Sequence, residues 1–397
     1  MLIELATIKV VSVGTVMLVF IVIFLFSFSS LADCFQIDSV VFGGPKELVA
    51  VGQGVARGYE NRCLTSSDIN NLIRSLSNKF IEDGYITSRV HVPDQDLKSG
   101  RLLIEAKAGT IENIKGAFPD MKGMVLNLRD IEQGVAQLNR LRSNSASVRL
   151  APGSEQDSST IIIDNKPTRR WYLGVGIDNY LDKRYGDLQH TASFGLENIL
   201  GLSDSMVISL NKAMDSDYYS FSPSYSVPYG YNNLTFSYTH SRGRSEIADT
   251  INISKVDSGR VNYSRVFYRS GTSKFNAHIE FSKDLYQNYI DDYQLAISSY
   301  KLSNLELGVG GFNRIGGGII SASIAGKVGL DLDATPYDDV GPKSSYRKLA
   351  YDASYLTSLN LKFINPMLSI SYHGQYSADE LYGSEKISLG GLSSIRG

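Results

Sequence analysis

The chain has 397 residues, a formal net charge of −2 and 20% charged residues. That balance removes the basic footprint of a nucleic-acid-binding protein, and a mean hydropathy of −0.11 removes a bundle of membrane helices. With 24 tyrosines and 36 glycines against 10 prolines, 2 cysteines and 1 tryptophan, the composition suits a Tyr/Gly-rich β protein. A membrane barrel is compatible with it, because half of a barrel's strand residues face a polar lumen and leave no hydropathy peak.

Val10 to Phe28 is a nearly unbroken apolar run behind Lys9. It is long for a signal-peptide core and long enough for a membrane anchor. Ser30-Leu31-Ala32 then supplies the small residues of a cleavage site before Asp33. Residues 1–32 are therefore read as a cleaved signal peptide, with an uncleaved anchor as the alternative; Asp33 suits a lipoprotein site at Cys34 poorly. Export implies an oxidising compartment in which Cys34 and Cys63 can pair. Two buried, reduced thiols are the alternative.

Residues 33–167 read as two small α/β modules. Gln36 to Phe42 is a strand and Leu48 to Tyr59 a short helix. Thr65 and Asp68 form a capping box for a second helix, with Ile69, Leu72, Ile73, Leu76, Phe80 and Ile81 on one face. Gly84 closes it. Ile86–Val92 and Arg101–Ala106 pair as a hairpin. The second module has a strand at Ile111–Ile114 and a helix over Asp130–Arg142 with Ile131, Val135, Leu138 and Leu141 as its stripe. Strands at Val148–Leu150 and Thr160–Ile163 complete it.

From Trp171 to Tyr376 the pattern changes to period two. Trp171, Leu173, Val175 and Ile177 alternate with Tyr172, Gly174, Gly176 and Asp178, and similar runs recur. One face is apolar and the other small, hydroxylated or charged, which suits lipid outside and water inside; a soluble β-sandwich is the alternative. About eleven strands are legible. If the first strand starts on the side of the modules, connections after even-numbered strands must be short. They are: Gly201–Ser203, Pro228–Tyr231, Ser270–Thr272, Ile315–Gly317 and Ile364-Asn365. Most odd connections read as longer polar loops, at Asp182–Asp187, Ser241–Lys255, Leu285–Ser299 and Asp331–Ser345. This parity favours the barrel. Arg265 and Arg269 are its weak point, since both share a period-two face with Val261, Tyr263 and Phe267.

Enzyme signatures are missing. His91, His190, His240, His278 and His373 lack ligand spacing to one another or to cysteine, so no metal site is expected. There is no G-x-S-x-G elbow, and the glycines at Gly308, Gly310 and Gly311 sit within a strand. Glu197, Glu280, Lys327 and Asp352 read as a wetted lumen surface. No catalytic residue and no cofactor is expected.

Three linked motifs carry a resemblance: Tyr85-Ile86-Thr87-Ser88-Arg89-Val90; Pro93-Asp94-Gln95-Asp96-Leu97 with Gly100; and Leu126-Asn127-Leu128-Arg129-Asp130-Ile131-Glu132-Gln133 with Leu138-Asn139-Arg140. The chain resembles the two-partner secretion transporters of the haemolysin secretion/activation type (ShlB/FhaC/HecB, Omp85 superfamily). The resemblance implies a signal peptide at 1–32, two periplasmic POTRA domains at 33–110 and 111–167, and an antiparallel transmembrane β-barrel from 168 to 397. It implies a Cys34–Cys63 disulfide, as members carry one there. It also implies export of a large haemolysin- or adhesin-type partner across the outer membrane of a Gram-negative bacterium. The POTRA domains would capture the unfolded client; outer-membrane lipid and the barrel-assembly machinery would be the other partners. Ile395-Arg396-Gly397 resembles the tip of the family's sixth loop, whose arginine enters the pore. About eleven of that family's sixteen strands are expected here, so the chain reads as C-terminally truncated. An insertase, a passive porin and a non-functional remnant are the competing readings.

Overall fold

In the computed structural model, residues 34–115, 121–247, 250–332, 341–359, 361 and 364–387 are described. They fall into two compact units, one of residues 34–81 and 88–108, the other of 82–87 and everything from 109 onward.

In the first unit, β1 (Phe35–Ile37) is followed directly by β2 (Ser39–Gly43), then α1 (Lys46–Arg57), β3 (Arg62–Leu64), α2 (Ser66–Glu82), β4 (Arg89–His91) and β5 (Arg101–Lys107). The single strand expected over Gln36–Phe42 is divided at Asp38. Its two halves join different sheets, β1 pairing with β3 and β2 running parallel to β5. The Gly100 carbonyl, which accepts from the Asp38 and Ser39 amides, holds the break. Leu72, Leu76 and Phe80 recur at i, i+4 and i+8 on α2 and are fully buried; Ile37, Leu64, Leu102 and Ile104 are as well. The capping box forms as the spacing dictates: Thr65 N donates to Asp68 at 2.9 Å and Asp68 N to Thr65 Oγ1 at 3.2 Å. Gly52 is a glycine within a helix for a packing reason, since a Cβ there would run into the Phe42 ring.

The second unit opens with a second sheet of the same plan. β6 (Thr110–Lys115) runs parallel to β8 (Ser158–Asn165), with β7 (Ala146–Pro152) antiparallel at the edge and α3 (Leu128–Leu138) between. β2, β5 and β4 have the same arrangement. The core is Ile111, Leu126, Ile131 and Ile161. Ile86, expected in a strand of the first module, instead packs against this second core, and β4 begins only at Arg89. Asn127 explains the handover. Its Nδ2 donates to Asp83 O at 3.2 Å and its Oδ1 caps α3 by accepting from Arg129 N at 2.8 Å.

Then comes one antiparallel meander: β9 (Trp171–Asp178), β10 (Gln189–Glu197), β11 (Ser205–Ala213), β12 (Tyr219–Tyr229), β13 (Asn232–Ile247), β14 (Thr250–Arg269), β15 (Ser273–Ile290), the two-residue β16 (Tyr293–Gln294), β17 (Tyr300–Ile315), β18 (Gly318–Leu330), β19 (Arg347–Ser358) and β20 (Met367–Tyr376). The strands are paired in chain order from β9 to β20, with β16 as a side pair of β15. The expected polar loops at Ser241–Lys255 and Leu285–Ser299 are largely strand. β13 and β14 stay paired out to Ile247↔Thr250, and β15 continues to Ile290. Polarity on both faces marked these residues as loop; the ladder continues because backbone pairing does not need an apolar face. The Gly316-Gly317 turn has φ of +58° and +81°, the two positive angles of a tight hairpin.

The period-two faces are realised. Leu173, Val175 and Ile177 are 64%, 79% and 61% exposed on one face of β9. A soluble protein does not leave so contiguous an apolar face in water, whereas a lipid-facing wall must. Among the described residues no helix is long and apolar enough to cross a membrane.

The two arginines of β14 are resolved by a bulge. β14 and β15 pair residue for residue up to Val266↔Asn276 and resume at Tyr268↔Phe275, so Phe267 is an extra residue. One extra residue inverts the parity of all that follows. Arg265 stays on the apolar face but lies opposite Asn232, the first residue of β13, at the rim where an arginine costs little. Arg269 is moved to the polar face.

Candidate functional site

Two features of the second unit define a candidate conduit: a module clamped to one rim of the sheet, and a segment folded onto the sheet's polar face.

The clamp is built from α3. Asp130, Gln133 and Gln137 on α3, and Arg140 in the turn just past its end, recur at helical spacing on the side away from Ile131 and Leu138. Tyr231 Oη donates to Asp130 Oδ1 at 2.6 Å. Gln133 and Gln137 donate to Gly230 O at 3.1 and 3.3 Å. Arg140 reaches Ser203 O at 2.7 Å and Ser226 Oγ at 2.9 Å. Arg269 closes the row, donating to Gln133 Oε1 at 2.9 Å. Its partners are the short turns between β10 and β11, β12 and β13, and the end of β14. Those turns have free carbonyls to offer because their backbones leave the ladder. Glu197, expected on a wetted surface, is 7% exposed and accepts from the Arg142 and Ser143 amides at 3.0 and 2.7 Å. Asp204 knits the β10–β11 turn by accepting from three of its amides and from Tyr225 Oη. Burial opposes its ionisation, but those donors outweigh it and hold its carboxyl below the ordinary range.

On the polar face, residues 377–387 after β20 turn back onto the wall. Glu385 Oε2 lies 2.6 Å from Lys348 Nζ and 3.3 Å from Lys327 Nζ. Tyr382 packs on Tyr300 with ring centroids 4.2 Å apart, and Tyr300 Oη donates to Ser384 Oγ at 3.1 Å. Burial disfavours the charged form of Glu385, yet the Lys348 hydrogen bond and the two ammonium charges keep its carboxyl below the usual range. Beneath lies a buried polar network. Tyr346 Oη donates to Asn304 Oδ1 at 2.8 Å, and Asn304 Nδ2 to Ser282 Oγ at 3.2 Å and Asp284 Oδ2 at 3.3 Å. Asp284 and Asn304 are 2% and 1% exposed. The other residues expected to be merely wetted also have partners. Glu280 accepts from Asn262 and faces Arg260, Lys327 adds Glu306 at 4.0 Å, and Asp352 meets Ser323 and His373.

Cys34 and Cys63 are joined by a disulfide, with Cα atoms 5.4 Å apart beside the β1–β3 ladder. Ile395, Arg396 and Gly397 lie outside the described residues. The apolar stripe of α3 is legible in the sequence, and the i, i+3, i+7, i+10 spacing of Asp130, Gln133, Gln137 and Arg140 is the signal for the polar stripe on its other side, which the sequence expectations did not include. The sequence has no signal for Glu385, whose partners are 37 and 58 residues away.

Comparison with known proteins agrees on one family. A model described as haemolysin secretion/activation protein ShlB/FhaC/HecB matches residues 157–397. A ShlB-type POTRA model matches residues 35–109 and a second POTRA model residues 100–152. The chain is 34% identical to outer membrane transporter CdiB of Dickeya dadantii, across 92% of this chain and 69% of that protein. It is 30% identical to CdiB of Escherichia coli, covering 92% and 66%, and 28% identical to hemolysin transporter protein ShlB of Serratia marcescens, covering 92% and 69%. The solved structure of CdiB from Escherichia coli matches with a TM-score of 0.81 at 29% identity, over 94% of this chain and 73% of that one. The chain spans about two thirds of the length of these curated relatives.

Proposed function

Because the chain belongs to the ShlB/FhaC/HecB haemolysin secretion/activation family, outer-membrane two-partner secretion transporters of Gram-negative bacteria with periplasmic POTRA domains, we propose that it exports a large haemolysin- or adhesin-type partner. Residues 1–32 are its cleaved signal peptide, and 33–110 and 111–167 its POTRA domains. The POTRA domains take up the partner unfolded from the periplasm. β4 and β7 are each an edge strand of one of the two small sheets, and an extended client can add to such an edge through main-chain hydrogen bonds that tolerate many sequences. The barrel conducts the client, and folding of the client outside drives export. The barrel itself reaches its lipid through the barrel-assembly machinery. Ile395-Arg396-Gly397 forms the tip of a loop that enters the lumen.

The observation that carries this reading is the clamp of α3 on the short-turn rim, which holds a POTRA domain at the mouth of a polar-faced wall. A passive pore has no use for such a domain. The test is co-expression with a haemolysin-type partner protein. The partner is expected in the medium in an amount that depends on this chain. A partner that stays periplasmic while the chain sits heat-modifiable in the outer membrane would reject the reading.

A further inference from the structure

The apolar face of the sheet ends in a row of cations. In register across four neighbouring strands lie Lys212, Tyr219, Arg242 and Lys255. Period two puts them on the face of Leu210, Phe236 and Val261, which is the lipid face.

Their height follows from the register. Ten residues separate Arg242 from Asn232 on β13, and ten separate Lys255 from Arg265 on β14. At ~3.3 Å per residue that is about 33 Å of strand, and at a tilt of ~40° it rises about 25 Å, the height of the apolar band. Arg265 marks the periplasmic rim, so the row lies at the opposite boundary, where the outer leaflet places its headgroups. Tyr219, Tyr238 and Tyr289 accompany it, as an aromatic girdle does at an interface.

The protein offsets the charges there only in part, through Asp257 beside Lys255. Arg242 and Lys255 are directly opposite each other, an arrangement that destabilises a ladder unless an anion lies between. The carboxylate nearby on this face, Asp257, is hydrogen-bonded by His240 Nδ1 at 2.8 Å and by Tyr238 Oη, and it acts on Lys255 through charge alone. Asp217 is taken by Arg244 at 3.6 Å. Arg242 Nε is buried and has no hydrogen-bond partner among the described residues. Lys255 Nζ rests 4.9 Å over the Tyr289 ring, which positions the ammonium and leaves its donors open. With strands ~4.8 Å apart, three cations lie within about 15 Å along the row.

We propose that Lys212, Arg242 and Lys255 form a binding site for the phosphate groups of an outer-leaflet lipid headgroup. Arg242 presents the planar fork that matches phosphate oxygens, and the two lysines flank it as point charges. Acyl chains below the headgroup lie along Leu210 and Phe236.

The test uses the whole chain purified from outer membranes in detergent, with heat-modifiable migration as the check on folding. Phosphorylated lipid that co-purifies is quantified by mass spectrometry for wild type, Arg242→Gln, Lys255→Gln and Lys212→Gln. Each variant is expected to lose about tenfold in retained lipid, the scale of one charge-assisted contact. Wild-type lipid content in folded Arg242→Gln and Lys255→Gln would overturn the proposal. In a second arm, delipidated wild type is melted with a phosphorylated glycolipid, with the same lipid dephosphorylated, and with inorganic phosphate. Only the phosphorylated lipid should raise the melting midpoint. Equal stabilisation by the dephosphorylated lipid, or by inorganic phosphate alone, would reject a phospho-headgroup site without calling on any variant.

Discussion

Glu385 and Lys348 meet at 2.6 Å on the polar face of the sheet, with side chains 5% and 12% exposed. The contact ties the chain that follows β20 to a strand it has already passed. A buried pair of this kind adds little net stability, but removing one partner strands the other charge, at a cost of about 3–5 kcal/mol. Lys327 at 3.3 Å softens the loss of Lys348. Glu385→Ala, which leaves two buried ammonium groups close together, is therefore expected to lower the midpoint of heat-modifiable unfolding more than Lys348→Met. Wild-type midpoints in both variants would show that the pair does not hold the segment.

The clamp of α3 gives a second prediction. Arg140 makes charged hydrogen bonds to Ser203 O and Ser226 Oγ, each worth about 1.5–3 kcal/mol. Arg140→Ala should free the second module from the rim and expose residues 166–170 to protease, with the barrel still heat-modifiable. Wild-type cleavage kinetics would place the clamp elsewhere.

Glu112 supplies a pH dependence. Its carboxylate accepts from Ser158 Oγ, Ser154 Oγ and Ser154 N at 2.7, 2.7 and 2.6 Å. Those donors pull its pKa from the ordinary 4.5 to about 2. The folded value is depressed, so the stabilisation is present above 4.5 and is lost as pH falls through about 2. Protection of the Ser154 amide from hydrogen exchange, corrected for intrinsic rates, should persist to about pH 2 in wild type. Loss of protection near pH 4 would contradict this. Glu112→Gln should weaken it at every pH.

The mature, unreduced protein should contain no free thiol, since Cys34 and Cys63 are bonded across a separation of 29 residues. Cys63→Ser should destabilise the first module by about 3 kcal/mol, the scale for a closed loop of this size. Two titratable thiols in the native protein would dispose of the bond.

Arg396→Ala is expected to abolish release of the partner into the medium while barrel assembly is unchanged. A guanidinium entering a pore needs an acidic partner, so Arg396→Lys should restore release only in part, because a point charge cannot replace the fork. Normal secretion by Arg396→Ala would remove the loop tip from the mechanism.

Much of this protein was legible because the signals are local. The capping box at Thr65 and Asp68 needs only four residues, and the buried stripe of α2 only one helix. The ladder of β11, Ser205–Ala213, follows from period two and its flanking turns. What failed did so where a partner decided the outcome. Ile86 packs against the second core, which includes Leu126 and Ile161, and not in the first hairpin. β13 and β14 ran on through polar residues because each completed the other's ladder.

By itself the sequence determined the element types, the two modules, the alternation and the short turns, since these depend on spacing along the chain. Tertiary structure alone decided three things. The unpaired Phe267 sent Arg269 to the polar face and Gln133. Rim carbonyls at Ser203 and Gly230 gave the outer stripe of α3 its purpose. Lys327 and Lys348 received Glu385. In each case a polar group was committed to a partner far away in the chain, and a buried polar group is stable only where the fold brings that partner within hydrogen-bonding distance.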